Sequence, residues 1–202
     1  GVIDQVRIFS SALDATQVES LYNEVYCVPT IVPTNNFNTV LYTGDGNNNR
    51  AVTTVGFTPD FTWIKKRLPS TPVASHILQD SVRGATNTLY SDLTNAQGNT
   101  NALSSFDVDG FTIGTSYDGT NGSGNDIVSW NWKAGGAAVQ NNDGTITSQV
   151  SANVDAGFSV VSYTGTGSAA SVGHGLDTPE FVVIKRLDGT TFWQVWYTGA
   201  GI

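Results

Sequence analysis

Tyr42-Thr43-Gly44-Asp45-Gly46 and Tyr163-Thr164-Gly165-Thr166-Gly167 are two versions of one phrase. Each is followed by a Val-Gly pair, a Pro-acid-Phe step and a basic strand end. The first continues as Val55-Gly56-Phe57-Thr58-Pro59-Asp60-Phe61-Thr62-Trp63-Ile64-Lys65-Lys66. The second continues as Val172-Gly173-His174-Gly175-Leu176-Asp177-Thr178-Pro179-Glu180-Phe181-Val182-Val183-Ile184-Lys185-Arg186. The offset is 121 at the opening Tyr (163 minus 42) and 120 at the Pro (179 minus 59). Self-similarity at a fixed period marks a duplicated structural unit. The sequence reaches Ile202 before the second copy is finished, so a longer protein of repeated modules is expected.

Working outward from the repeats, short apolar stretches alternate with Gly/Asn turns. The pattern predicts strands at 39–43, 51–56, 61–66, 75–79, 102–107, 110–114, 126–133, 145–150, 157–164, 170–174, 180–186 and 192–197. Asp107-Val108-Asp109-Gly110 and Asn142-Asp143-Gly144 carry turn chemistry, and the glycines between 114 and 124 predict a loose loop over 115–125. Strands at this density predict an all-β chain of β-sandwich or jelly-roll-like modules. Residues 1–27 differ: a strand over 2–9, then one short helix over about 14–25. That helix opens on Asp14-Ala15-Thr16-Gln17, a capping box, and carries Val18, Leu21, Tyr22 and Val25 on one stripe. Pro29 and Pro33 place an extended linker over 28–37. The expected domains are 1–27, the linker 28–37, a first repeat over 38–150 and an incomplete second repeat over 151–202.

Charged residues make up only 13% of the chain, and the net charge is −8. An acidic surface disfavours nucleic acid and anionic membrane as partners. Lys65, Lys66 and Arg67 form the one basic cluster, read as a solvated strand end. A single cysteine, Cys27, excludes an intrachain disulfide and a cysteine-based metal site.

No catalytic constellation emerges. The carboxylates Asp80, Asp92, Asp107, Asp109, Asp118, Asp126 and Asp143 fall mostly beside Gly or Asn, where turns account for them, and neither His76 nor His174 has a nucleophile elbow nearby. Asp80 and Arg83 are close enough to pair and fix the loop after their strand. Asn121-Gly122-Ser123 matches a glycosylation sequon. Asp45-Gly46-Asn47-Asn48-Asn49 places oxygens at alternate positions, as a calcium loop does, but Arg50 and Gly56 stand where such a loop has Gly and Glu. Asp45, with the pair Asp107 and Asp109, completes the calcium candidates; the expected state is no metal and no cofactor. Trp130 and Trp132, two apart, share one strand face, and Trp196 lies near the end. These three are the carbohydrate-binding candidates, because aromatic faces suit the C–H face of a sugar ring; the competing reading is a core or inter-sheet plate.

Two resemblances add to this. Gly1-Val2-Ile3-Asp4-Gln5-Val6-Arg7-Ile8-Phe9, with Ala12-Leu13-Asp14-Ala15 and Val18-Glu19-Ser20-Leu21-Tyr22, resembles the closing strand and helix of a concanavalin A-like, laminin-G-type jelly roll. The remainder of such a jelly roll would lie upstream. From Tyr42 onward the chain resembles β-rich domains of phage structural, tail-fibre-like proteins. That resemblance rests on Tyr42-Thr43-Gly44, Trp63-Ile64-Lys65, Ser75-His76-Ile77-Leu78, Asp80-Ser81-Val82-Arg83-Gly84, Ser105-Phe106-Asp107, Trp130-Asn131-Trp132-Lys133-Ala134-Gly135-Gly136 and Gly173-His174-Gly175-Leu176. It implies no catalytic residues.

The expected function is therefore a non-enzymatic virion component: a tail fibre, spike or capsid-surface decoration. It would be extracellular, homo-oligomeric, bound to other virion proteins and in contact with a host surface glycan. The alternatives are a carbohydrate-binding module of a secreted adhesin or enzyme and, third, a polysaccharide depolymerase.

Overall fold

A computed structural model describes residues 12–22, 33–67, 73–115 and 117–199. The chain divides into two units, Gly1–Thr30 and Ile31–Ile202. Within the first, helix α1 spans Ala15–Tyr22. The capping box forms as its residue types dictate: the Gln17 N–H donates to Asp14 Oδ1 at 2.8 Å and the Asp14 N–H to Gln17 Oε1 at 3.0 Å. The strand expected over 2–9, the end of the predicted helix at 23–25, Cys27 and most of the linker lie outside the described residues.

The second unit is predominantly β-sheet. In chain order its strands are β1 (Phe37–Thr43), β2 (Ala51–Val52), β3 (Phe61–Lys66), β4 (Ile77–Asp80), β5 (Asn87–Tyr90), β6 (Gly98–Asn99), β7 (Leu103–Asp107), β8 (Gly110–Ile113), β9 (Asp126–Trp132), β10 (Val139–Asn141), β11 (Ser148–Asn153), β12 (Phe158–Tyr163), β13 (Phe181–Ile184) and β14 (Gln194–Tyr197). They form a six-stranded sheet ordered β1-β9-β3-β4-β5-β6, two three-stranded sheets, β2-β8-β7 and β10-β11-β12, and the two-stranded β13-β14. All these strand pairs are antiparallel. Among the described residues no sheet closes into a barrel or curls into a jelly roll. The domain boundary expected at 150/151 falls inside β11.

The main core follows from strand alternation. Val40 of β1, Ile64 of β3 and Ile127 of β9 point inward from the six-stranded sheet; they join Val52, Leu103, Phe111 and Ile113 of β2-β8-β7, with Val55 and Phe57 closing the cluster. Around it, 170–174 is not a strand but a single parallel bridge, Ile146 to Val172. Residues 118–121, expected as loop, form the helical turn α2 (Asp118–Asn121). Its Thr120 and Asn121 N–H groups bond back to the Tyr117 carbonyl at 2.9 and 2.7 Å. The basic cluster also differs from a solvated edge. Lys66 points inward beside Ile64 and its Nζ meets Asp118 Oδ2 at 2.7 Å, since a buried ammonium requires a charged partner.

One hairpin of the first sequence repeat recurs in the second. β3 and β4 pair with Phe61 opposite Asp80 and Ile64 opposite Ile77. β13 and β14 repeat this with Phe181 opposite Tyr197 and Ile184 opposite Gln194. The same hydrogen bond closes both hairpins: Ser81 N–H to Asp60 O at 2.8 Å, and Thr198 N–H to Glu180 O at 3.0 Å. The opening turns agree as well: Gly46 and Gly167 have φ of 76° and 77°.

The surroundings of the two copies differ. Ile64 is 0% exposed, whereas its counterpart Ile184 is 43% exposed. Truncating a buried Ile leaves a cavity and truncating an exposed one does not. In urea unfolding, Ile64→Ala is expected to cost about 2–5 kcal/mol, and Ile184→Ala about 0.5 kcal/mol or less. Equal costs would contradict this packing.

Candidate functional site

Strand β9 carries two faces. Ile127, Ser129 and Asn131 are buried on the core side. Val128, Trp130 and Trp132 point to the opposite side of the sheet. Register places Trp132 between Phe37 on β1 and Phe61 on β3, and Trp130 opposite Trp63. Cross-strand aromatic rungs result. Trp132 meets Phe37 at 4.8 Å and Phe61 at 5.3 Å between ring centroids, and Phe158 of β12 stacks over it at 6.0 Å. Trp130 and Trp63 meet edge-on at 6.0 Å, and Trp63 reaches His76 at 6.3 Å.

The structure thus places the three candidate tryptophans unequally. Trp130 and Trp132 share a face, as their spacing predicts. Both are half-buried: Phe158 stacks over Trp132, and Trp130 meets Trp63 edge-on, with His76 on the far side of Trp63. Trp196 is 41% exposed but lies on β14, in a different sheet. Sequence reading missed Phe37, Phe61, Trp63 and Phe158 as members of this face. The signal was present in the spacing of Phe61 and Trp63, which matches that of Trp130 and Trp132.

Beside Trp63, Lys65 Nζ donates to His76 Nε2 at 2.8 Å, which requires an unprotonated imidazole nitrogen. Burial first, and the Lys65 ammonium second, hold the His76 imidazole below its ordinary range, with Asp92 pulling the other way. Such a group binds fewer protons folded than unfolded. Its contribution to stability is therefore present above the unfolded value of about 6.5 and is lost as pH falls through the lower folded value.

The calcium candidates sit in separate protein networks. Asn121, fully buried in α2, organises the Asp45 loop: its Nδ2 donates to Asp45 Oδ1 at 2.7 Å and to the Asn47 carbonyl at 2.8 Å. Its Oδ1 accepts from the Asp45 N–H at 3.1 Å and from Arg50 at 2.8 Å. Arg50 also lies 3.6 Å from Asp45 Oδ2. The Asn47 N–H, then Asn121, hold the Asp45 carboxyl below the usual range. With its side chain so engaged, Asn121 of the sequon is inaccessible to a glycan in the folded chain. Asp107 accepts from Ser105 and Thr112 at 2.8 and 2.7 Å. Asp109, across the β7–β8 turn, accepts the Gly56 and Thr54 N–H groups at 2.6 and 3.0 Å; the Gly56 bond leads in lowering its pKa. Among the described residues no three His, Cys, Asp or Glu side chains are grouped to hold a metal ion.

The remaining carboxylates are tied locally. Asp80 and Arg83 form the expected pair, both buried, at 2.5 Å, and Arg83 reaches on to Gln97. Asp92 accepts the His76 N–H, Asp126 a bond from Thr43, and Asp143 one from Asn141. Among the described residues no helix is long and apolar enough to cross a membrane.

Fold and site together define a predominantly β-sheet protein with duplicated strand hairpins and an aromatic sheet face. The chain belongs to the family described as "Domain of unknown function (DUF7483)", whose model matches residues 32–201. No curated protein and no solved structure matches it.

In an NMR titration, the His76 ring protons are expected to move with a midpoint below about 6.5, and Lys65→Gln is expected to raise that midpoint. A wild-type midpoint at or above 6.5 would contradict the Lys65 contact.

Proposed function

We propose that this chain is a non-enzymatic structural component of a phage virion: a tail fibre, spike or capsid-surface decoration built from tandem β-sandwich modules. It acts outside the cell, assembles with copies of itself and with other virion proteins, and meets host surface glycans. The observation that carries this reading is the rebuilding of the β3–β4 hairpin as β13–β14, with the same register and the same closing hydrogen bond. Duplicated sheet units extend a stiff surface by stacking, which a scaffold needs and a single active site does not. The charge-poor composition and the resemblance to phage structural domains support the same conclusion. So does the engagement of the candidate catalytic carboxylates in turns and ion pairs, where they hold backbone in place.

The aromatic face supports a glycan contact, either on a virion or in a carbohydrate-binding module of a secreted adhesin or enzyme. Trp130 is the residue for it: both tryptophans are half-buried, but Phe158 already stacks over Trp132 while Trp130 meets only the edge of Trp63.

Immunogold labelling of purified particles with antibody against this chain is expected to decorate tails or capsids. Label confined to the particle-free culture supernatant would overturn the virion assignment. On a host-glycan array, Trp130→Ala is expected to reduce any signal several-fold and Trp132→Ala to act only through stability. An array signal unchanged by Trp130→Ala would remove the aromatic face from glycan binding.

A further inference from the structure

The core side of the six-stranded sheet is crossed by a row of polar side chains. Asn38 of β1 lies opposite Asn131 of β9, Asn131 opposite Thr62 of β3, and Thr62 opposite Gln79 of β4. Thr88 of β5 continues the row, its Oγ1 3.3 Å from Gln79 Nε2. Asn131, Thr62, Gln79 and Thr88 are each 0% exposed. The adjacent row, made of Val40, Ser129, Ile64 and Ile77, is buried as well.

Three oxygens in the middle of the polar row, Asn131 Oδ1, Thr62 Oγ1 and Gln79 Oε1, have no hydrogen-bond partner among the described residues. The two amides face away from each other. Asn131 Nδ2 donates toward β1, to the Asn38 carbonyl at 3.1 Å, and within its own strand to Ser129 O and Oγ at 3.2 and 3.1 Å. Gln79 Nε2 donates on the β5 side, to the Ala85 carbonyl and Thr88 Oγ1. With the nitrogens turned outward along the row, both carbonyl oxygens are turned inward, toward β3, where Thr62 stands between them.

The shortfall is one of donors. Two carbonyls require them, and the Thr62 hydroxyl has one proton, so no rotation of Thr62 serves both. A buried carbonyl left without a donor is destabilising. One water satisfies all three groups, because it donates to each carbonyl and accepts from the hydroxyl. Three hydrogen bonds are also the usual complement of a buried water. A metal ion matches the row poorly, since three neutral oxygens carry no charge to offset its own. Among the described residues no three His, Cys, Asp or Glu side chains are grouped to supply that charge.

We propose that Thr62, Gln79 and Asn131 form an internal water site that joins β4, β3 and β9 inside the first repeat. Its consequence is register. Slipping β9 by one residue turns Asn131 to the outer face and brings a tryptophan into the row, which leaves the water short of an acceptor.

The test begins with the intact wild-type chain. A crystal structure that resolves ordered water is expected to show one solvent peak within hydrogen-bond distance of Thr62 Oγ1, Gln79 Oε1 and Asn131 Oδ1. Oxygen-17 relaxation dispersion, which registers water molecules and not labile protons, gives the count of long-lived internal waters in solution. Thr62→Asn is expected to lower that count by one, because the introduced NH2 group has two donors and serves both carbonyls itself. Thr62→Ser keeps the hydroxyl and is expected to keep the wild-type count. Direct closure of the three side chains with no peak between them, a peak that takes up rubidium on ion exchange, or equal counts in wild type and Thr62→Asn would each overturn the proposal. The first two are read on the wild-type chain and decide the matter even where Thr62→Asn does not fold.

Discussion

Strand β9 has no free edge, and much of the molecule is arranged around that fact. Its backbone groups alternate between β1 and β3, so the strand is satisfied inside the sheet and can be buried at little polar cost. The same alternation sends Ile127 into the core and Trp130 and Trp132 to the outer face. Both ends are fixed as well. Residues 121–125 are packed against Gly44 and the Asp45 loop, and the turn after Trp132 is held by the buried Asp60 carboxylate. Removing β9 would leave two open edges, an exposed aromatic face and a buried carboxylate without its Ala134 and Gly136 donors.

The second repeat resembles that situation in part. Hairpin β13–β14 has the register and closing bond of β3–β4, but its apolar residues face outward. The difference between Ile64 and Ile184 does not lie in the residues themselves, which are identical. It lies in the neighbour. Ile64 packs into the cluster with Val52, Leu103, Phe111 and Ile113, whereas Ile184 stands outside that cluster and is 43% exposed.

Features set by neighbours in sequence were legible from the residues alone. The Asp14–Gln17 capping box, the Asp107–Gly110 hairpin turn, the Asp80–Arg83 pair and the common face of Trp130 and Trp132 all depend on contacts within a few positions. The placement of β9 between β1 and β3 was not legible, since it joins segments more than 60 residues apart whose alternation patterns fit several partners. Strands β5, β6 and β10 were missed because Asn, Gly and Thr give them little apolar alternation. Residues 170–174 have the apolar Val172 but no sheet to join beyond one bridge. The α2 turn contains Gly119 and forms through tertiary bonds, Asp118 to Lys66 and Asn125, rather than helix propensity. The Asp45 loop looked like a cation site with an arginine in the wrong place; in the fold that arginine, with Asn121, is what its oxygens face.

The central claim is that β9 covers one edge of β3, while among the described residues no strand pairs with the matching edge of β13. Native-state amide hydrogen exchange on the intact chain tests it most directly, because the Trp63 N–H and the Val183 N–H point to equivalent edges. The account predicts that Trp63 exchanges only with global unfolding of the sheet, while Val183 exchanges orders of magnitude faster, near the rate of an open strand edge. Equal protection at the two amides would contradict it.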